Sequence, residues 1–150
     1  MIYEEYYEKY LELRKTRDKI NKLENKKISL MSLVDVKSAT GKDIVAISNT
    51  NTDKFLLYSS EIEEVEEKLS YLRKLLDEIK KQLTEKEEEL KNSMETLDKI
   101  YYYKYINRLK YSQICEKINY EKSSFYKFLN TINKRLSEIK KKSSEKNGKK

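Results

Sequence analysis

The chain has no histidine and no proline, a single cysteine and only two glycines among its 150 residues. Without histidine, and with one thiol, neither the usual zinc sites nor a Ser-His or Cys-His nucleophile can be assembled. Glycine only at Gly41 and Gly148 leaves no material for a glycine-rich phosphate loop. The many carboxylates sit among lysines, as they do on solvated helix surfaces. No enzyme, metal site or cofactor is expected. Cys115 alone cannot form an internal disulfide and fits a reducing compartment. No uncharged run exceeds the nine residues of 44–52, whereas about 20 apolar residues are needed to cross a bilayer, and the charged amino terminus is not a signal peptide. The chain is expected to be cytoplasmic, with no membrane partner.

What is present is charge and helical periodicity. Charged residues make up 39% and hydrophobic residues 37% of the chain, a ratio suited to helices with much surface and little core. The net charge of +7 is unevenly distributed. Residues 60–99 hold 8 basic and 13 acidic side chains, whereas residues 100–150 hold 14 basic and 4 acidic ones. A field of one sign concentrated at one end attracts a polyanion, most commonly a nucleic acid.

From residue 2 to about residue 28, Ile2, Tyr6, Tyr10, Leu13, Ile20 and Leu23 recur at helical steps with Lys, Arg and Glu between them, predicting a first amphipathic helix over 1–29. Residues 30–52 lose that rhythm and are read as a polar linker, with a short strand at 43–48 as one option. Thr52 or Asp53 can cap a second helix over 53–92. Counting in sevens, Phe55, Ile62, Leu69, Leu76, Leu83, Leu90 and Leu97 occupy one position, and Tyr58, Val65, Leu72, Ile79, Lys86 and Ser93 its partner. That is a specific coiled-coil pattern, weakening after Leu83. The two helices, roughly 40 and 58 Å long at about 1.5 Å per residue, can cover one another in an antiparallel hairpin. A linker able to stretch roughly 70 Å leaves the other helix direction, exchange of a helix between subunits and pairing of the seam between two copies open as well.

Ser93 can cap a further helix over residues 94–107. Residues 104–136 read KYINRLKYSQICEKINYEKSSFYKFLNTINKRL. A short helix over 111–118 would bury Ile114, Cys115 and Ile118, the cysteine as a small hydrophobe. A longer helix from 122 to about 139 would bury Phe125, Leu129, Ile132 and Leu136 on one face. Between them, Asn119, Tyr120 and Glu121 make a turn, and asparagine tolerates the left-handed backbone such a turn needs. A short helix, a tight turn and a longer basic helix form the plan that lays a second helix in the DNA major groove. The fold class is therefore all-α, a long helical hairpin followed by a helix-turn-helix over 93–140. Residues 141–150 contain no apolar side chain and are expected to be a disordered basic tail.

Tyr105, Ile106, Leu109, Tyr111, Ile114, Ile118, Tyr120, Ser123, Ser124, Phe125, Tyr126 and Lys127 also carry a family likeness, with Cys115 where a small alanine usually stands. The stretch resembles the region-4 helix-turn-helix of bacterial sigma factors, and more closely the sigma-like phage and prophage transcription regulators of the ArpU/RinA type. Those proteins are similar upstream too, with a coiled-coil hairpin and a polar linker, although only the last third is specific. Arg108 and Asn119 replace the family's usual glycines, and Lys110 and Glu121 replace its usual helix-capping serines, which should weaken caps by about 1 kcal/mol each. The resemblance implies a regulator of phage or prophage late genes that binds promoter DNA and acts through the host RNA polymerase.

The candidate DNA-contacting residues are Lys110, Lys122, Ser123, Ser124, Tyr126, Lys127, Asn130 and Lys134. Flexible ammonium groups at Lys122, Lys127 and Lys134 suit phosphates, while Ser123, Tyr126 and Asn130 can reach base edges. Tyr101, Tyr102, Tyr103 and Tyr105 can stack on unpaired bases, but such clusters more often fill a small core with the hydroxyls left in water. Double-stranded DNA is the expected partner, with host polymerase and self-association through the coiled coil as further ones. Two other readings remain open: the small subunit of a phage terminase, recognisable by assembly into a closed ring, and a coiled-coil interaction protein that binds no DNA.

Overall fold

A computed structural model describes the backbone of residues 1–39 and 49–148 and the side chains of residues 1–34 and 55–145. The described residues form helices and no strand: α1 (Ile2–Ala39), α2 (Asn49–Asn92), α3 (Thr96–Tyr101), a π-helix (Tyr102–Ile106), α4 (Tyr111–Ile118) and α5 (Lys122–Gly148). The chain is all-α, as its periodicities predict. No helix among the described residues is long and apolar enough to cross a membrane.

Several boundaries differ from expectation. α1 continues through Ala39 where a polar linker was expected from residue 30, and α2 opens at Asn49, ahead of the anticipated caps at Thr52 and Asp53. No glycine or proline occurs before Gly41 to stop α1, and Leu30 is buried, so packing extends the helix past the point where the apolar rhythm fades. The rest of the linker, with its optional strand at 43–48, lies outside the described residues. The expected disordered tail is helical through Gly148, since an existing helix gains one hydrogen bond per added residue with no new nucleation step. The helix expected over 94–107 is instead two pieces, α3 and the π-helix. Its N-cap is Glu95, not Ser93.

The chain divides into two compact units to which α1 and α2 both contribute. In the unit formed by Lys15–Asp77, Ile20 and Leu30 of α1 pack with Val65 and Leu69 of α2, flanked by Leu23, Tyr58, Ile62, Leu72 and Leu76. Both heptad positions thus face α1. Glu24 meets Arg73 at 3.0 Å and Lys27 meets Glu66 at 3.2 Å, so the helices run antiparallel and form the expected hairpin. Exposed pairs like these contribute at most about 1 kcal/mol and chiefly select register. The buried apolar seam supplies the stability.

The second unit joins Met1–Arg14 to Glu78–Lys150. Its core is Tyr3, Leu90, Ile100, Tyr101, Ile114, Phe125, Leu129, Ile132 and Leu136. The heptad therefore runs on through Leu83 and Leu90, both buried, into the core that supports α4 and α5. Here too α1 and α2 are antiparallel, with the Lys86 ammonium bridging Glu5 at 2.7 Å and Glu89 at 3.1 Å. That bridge lowers the Glu5 pKa through a side-chain hydrogen bond from Lys86 and raises that of Lys86. Tyr10, expected on the inward face of α1, is exposed, while Tyr3 and Leu11 are buried, a register shift along the same helix.

One buried carboxylate fastens this unit. Asp98, only 1% exposed, accepts the backbone N–H of Tyr3 at 3.0 Å and the Ser93 hydroxyl at 2.9 Å. The Ser93 oxygen in turn accepts the N–H of Glu95 at 3.2 Å. A first-turn N–H of α1, which has no partner within its own helix, is thereby satisfied by α3. Ser93 reaches the start of α3 through Glu95 and Asp98 instead of serving as its N-cap.

Candidate nucleic-acid interface

α4 is preceded by Lys110 at the N-cap, a position where the regulators that this stretch resembles usually have serine. Lysine has no acceptor to offer the helix, and the cap is made from the other side: the Lys110 backbone N–H donates to Gln113 Oε1 at 3.1 Å. Ile114 is fully buried, while Cys115 and Ile118, expected to be buried with it, are half-buried against the same core. α4 ends at Asn119 with φ 59° and ψ 37°, the left-handed cap its side chain tolerates. The second position where the family usually has glycine, Arg108, also has a left-handed φ, 54°. Both departures from glycine thus retain glycine-like backbone geometry, at the strain cost an L-residue carries there.

The turn at 119–121 delivers the chain into α5, whose first backbone bond runs from the Phe125 N–H to the Glu121 carbonyl at 3.0 Å. Phe125, Leu129, Ile132, Leu136 and Ile139 are all buried, so the predicted inward face is present and extends one step further. Its phase fixes the opposite side. Lys122, Ser123, Tyr126, Lys127, Asn130 and Lys134 are exposed, and Ser124 is half-buried at the edge of that face. From Lys122 to Lys134 the face is about 18 Å long at 1.5 Å per residue, comparable with half a turn of duplex DNA.

Local contacts organise the amino-terminal end of this face. The Lys122 ammonium lies 5.0 Å from the ring centre of Tyr111 and 5.9 Å from that of Tyr126, and the two rings are 6.3 Å apart. Cation–π contact restrains the lysine near the start of both α4 and α5. Tyr111, absent from the candidate set, is thus brought into it; its resemblance to the family's tyrosine was the available signal. Further along, the Thr131 hydroxyl donates to the Lys127 carbonyl at 3.1 Å, leaving the lysine side chain outside that bond. Lys110 is exposed at the α4 cap.

Another cation of α5 is differently employed. Arg135 bridges Glu4 at 2.8 Å and Glu138 at 3.1 Å, and these bonds, first that to Glu4, raise its pKa further. It ties α5 to α1 and belongs to the supporting side. Among the described residues no group of three Cys, Asp or Glu side chains is placed to hold a metal ion. Compared with protein-family models, curated proteins and solved structures, the chain finds no match.

Proposed function

We propose that this chain is a sequence-specific double-stranded DNA-binding transcriptional regulator, without catalytic activity, that lays α5 in the major groove. The observation that carries this reading is the exposed row Lys122, Ser123, Tyr126, Lys127, Asn130 and Lys134 on a helix whose other side is locked by five buried apolar residues. A rigid basic helix following a three-residue turn meets the geometric needs of groove recognition. Lys122, Lys127 and Lys134 contact phosphates, while Ser123, Tyr126 and Asn130 face base edges, asparagine pairing bidentately with adenine. Ser124 and Lys110 lie at the margin and contact the backbone. The likeness of residues 105–127 to sigma-like phage and prophage regulators supports a promoter as target and host RNA polymerase as partner, with α1 and α2 offering surface for polymerase or a second copy.

The test is selection of bound duplexes from a random-site library by the full chain. Enrichment of one motif is expected, and Asn130→Ala should relax preference at a single position within it. Failure to enrich any motif would refute sequence-specific recognition. Light scattering of the same preparation separates the regulator, expected as a monomer or dimer, from a terminase-like ring.

A further inference from the structure

In the unit that carries α4 and α5, a cleft of about 580 Å³ opens beside the π-helix. That volume falls within the range of roughly 300–1,000 Å³ occupied by small-molecule sites. Tyr6, Tyr7 and Tyr10 of α1 line it together with Tyr105, and its charged side chains are Lys104 and Arg108. Tyr101, Ile106 and Leu136 complete the lining, which contains no carboxylate. Among the described residues, neither Lys104 nor Arg108 has an acidic partner.

The chemistry of these walls narrows the occupant. A cage of tyrosine rings suits an organic cation, but here two cations are already built in, and the Lys104 ammonium lies 5.5 Å from the Tyr105 ring centre. A wholly apolar ligand would leave both charges without water or partners. A simple inorganic anion would leave the rings unused. A planar ring bearing a phosphate meets all of them: aromatic faces stack on it, and an ammonium and a guanidinium hold the anion. We infer that this cleft binds a nucleotide, with the base against the tyrosine rings and the phosphate at Lys104 and Arg108.

Two independent features coincide at the same place. The backbone departs from α-helix, the Asn107 N–H reaching the Tyr102 carbonyl at 3.0 Å and the Leu109 N–H the Tyr103 carbonyl at 2.9 Å. Such π segments and left-handed non-glycine residues, here Arg108 at φ 54°, concentrate at ligand sites because they re-aim side chains that a regular helix would point elsewhere. Burial also raises the pKa of Tyr6 and Tyr7, whose hydroxyls stay protonated, while the Tyr105 hydroxyl already donates to Asn133 Oδ1. The nucleotide comes either free from solution or as an unpaired residue of a strand.

Isothermal titration of the full chain with AMP, GMP, CMP and UMP, each beside its nucleoside, with inorganic phosphate and with short single-stranded oligonucleotides of each base, tests the assignment. At least one monophosphate should bind, its nucleoside, which lacks both phosphate contacts, about a hundredfold more weakly and phosphate alone without detectable heat. Lys104→Gln and Arg108→Gly should each lower that affinity about tenfold, the loss of one charge-assisted contact, while nucleoside affinity stays within about twofold. Glycine at 108 is at ease with the left-handed backbone, and a melting curve for each variant confirms that it folds. Binding of an oligonucleotide alone, weakened by the same two substitutions, supports the site with a strand as its source. The inference is overturned if nothing binds, if a nucleoside and its monophosphate bind equally, or if neither substitution weakens binding. Lys127→Ala, on the outward face of α5, should leave monophosphate binding unchanged, so failure here and failure of duplex recognition are told apart.

Discussion

Replacing Asp98 by alanine should be among the most damaging single changes in the chain. Its carboxylate is 1% exposed and holds two partners, the Tyr3 N–H at 3.0 Å and the Ser93 hydroxyl at 2.9 Å. A hydrogen bond to a charged group contributes about 1.5–3 kcal/mol, and a buried donor left without an acceptor costs a further 1–3 kcal/mol or so. Ser93 can turn toward water and keep its bond from Glu95, which trims the first sum, whereas the Tyr3 N–H has no second acceptor within its own helix. The net loss is about 3–4 kcal/mol, and at roughly 2–4 °C per kcal/mol for a chain of this size the melting temperature falls by about 10 °C. Urea unfolding followed by far-UV and near-UV circular dichroism would measure it. Ser93→Ala should cost only about 1 kcal/mol, and the double variant should show positive coupling, because the second change removes a bond already lost. Asp98→Asn preserves volume and one acceptor and should fall between the single variants. A loss under about 1 kcal/mol for Asp98→Ala would refute the view that α1 is anchored to α3 through this carboxylate.

Three further outcomes follow from the same core. Burial raises the pKa of Tyr6, Tyr7, Tyr101 and Tyr105 above the ordinary 10.0. The folded state therefore retains these phenolic protons, so the stability they contribute is complete below about pH 10 and lost as pH rises through the folded-state values. Alkaline titration should show a late group of tyrosinates appearing together with loss of helix; all tyrosines ionising near pH 10 with the helices intact would contradict this. Ile132→Ala, at a fully buried position, should destabilise by about 2–5 kcal/mol, while Asn130→Ala, two residues away and exposed, should stay within about 0.5 kcal/mol; similar losses for both would place the wrong face of α5 inward. Asn119→Ala puts an unassisted Cβ at φ 59° and should cost about 1 kcal/mol, with Asn119→Gly near neutral or stabilising, a ranking that thermal melts would reverse if the turn were not left-handed.

The sequence carries the parts of this fold that repeat. Seven-residue spacing from Ile62 to Leu90 marks the seam of α2, and four-three-four spacing from Phe125 to Leu136 sets the phase of α5, so the exposed row from Lys122 to Lys134 is legible before any coordinates. The limits of α4 are equally legible, because Asn119 signals its end. Features that depend on distant partners are not. Asp98 is one acid among 26, and the amide it holds is 95 residues away, so no local pattern distinguishes it from a solvated carboxylate. The π-helix has no signature in the run Tyr101–Tyr102–Tyr103, whose rings divide between the core and its margin according to contacts with α1. Helix ends are illegible wherever propensity competes with an existing helix: the polar residues after Leu30 and after Ile139 lower helicity by only tenths of a kcal/mol each, too little to stop it.

The outward face of α5 is tested most directly by the salt dependence of duplex binding. Fluorescence anisotropy of a labelled selected duplex, titrated at several salt concentrations, gives the slope of log affinity against log salt, to which each phosphate contact contributes about 0.9. Replacing Lys122, Lys127 and Lys134 together by glutamine should flatten that slope by about 2.7 and weaken all duplexes alike. An unchanged slope in the triple variant, with the fold intact, would contradict the assignment of this face to DNA.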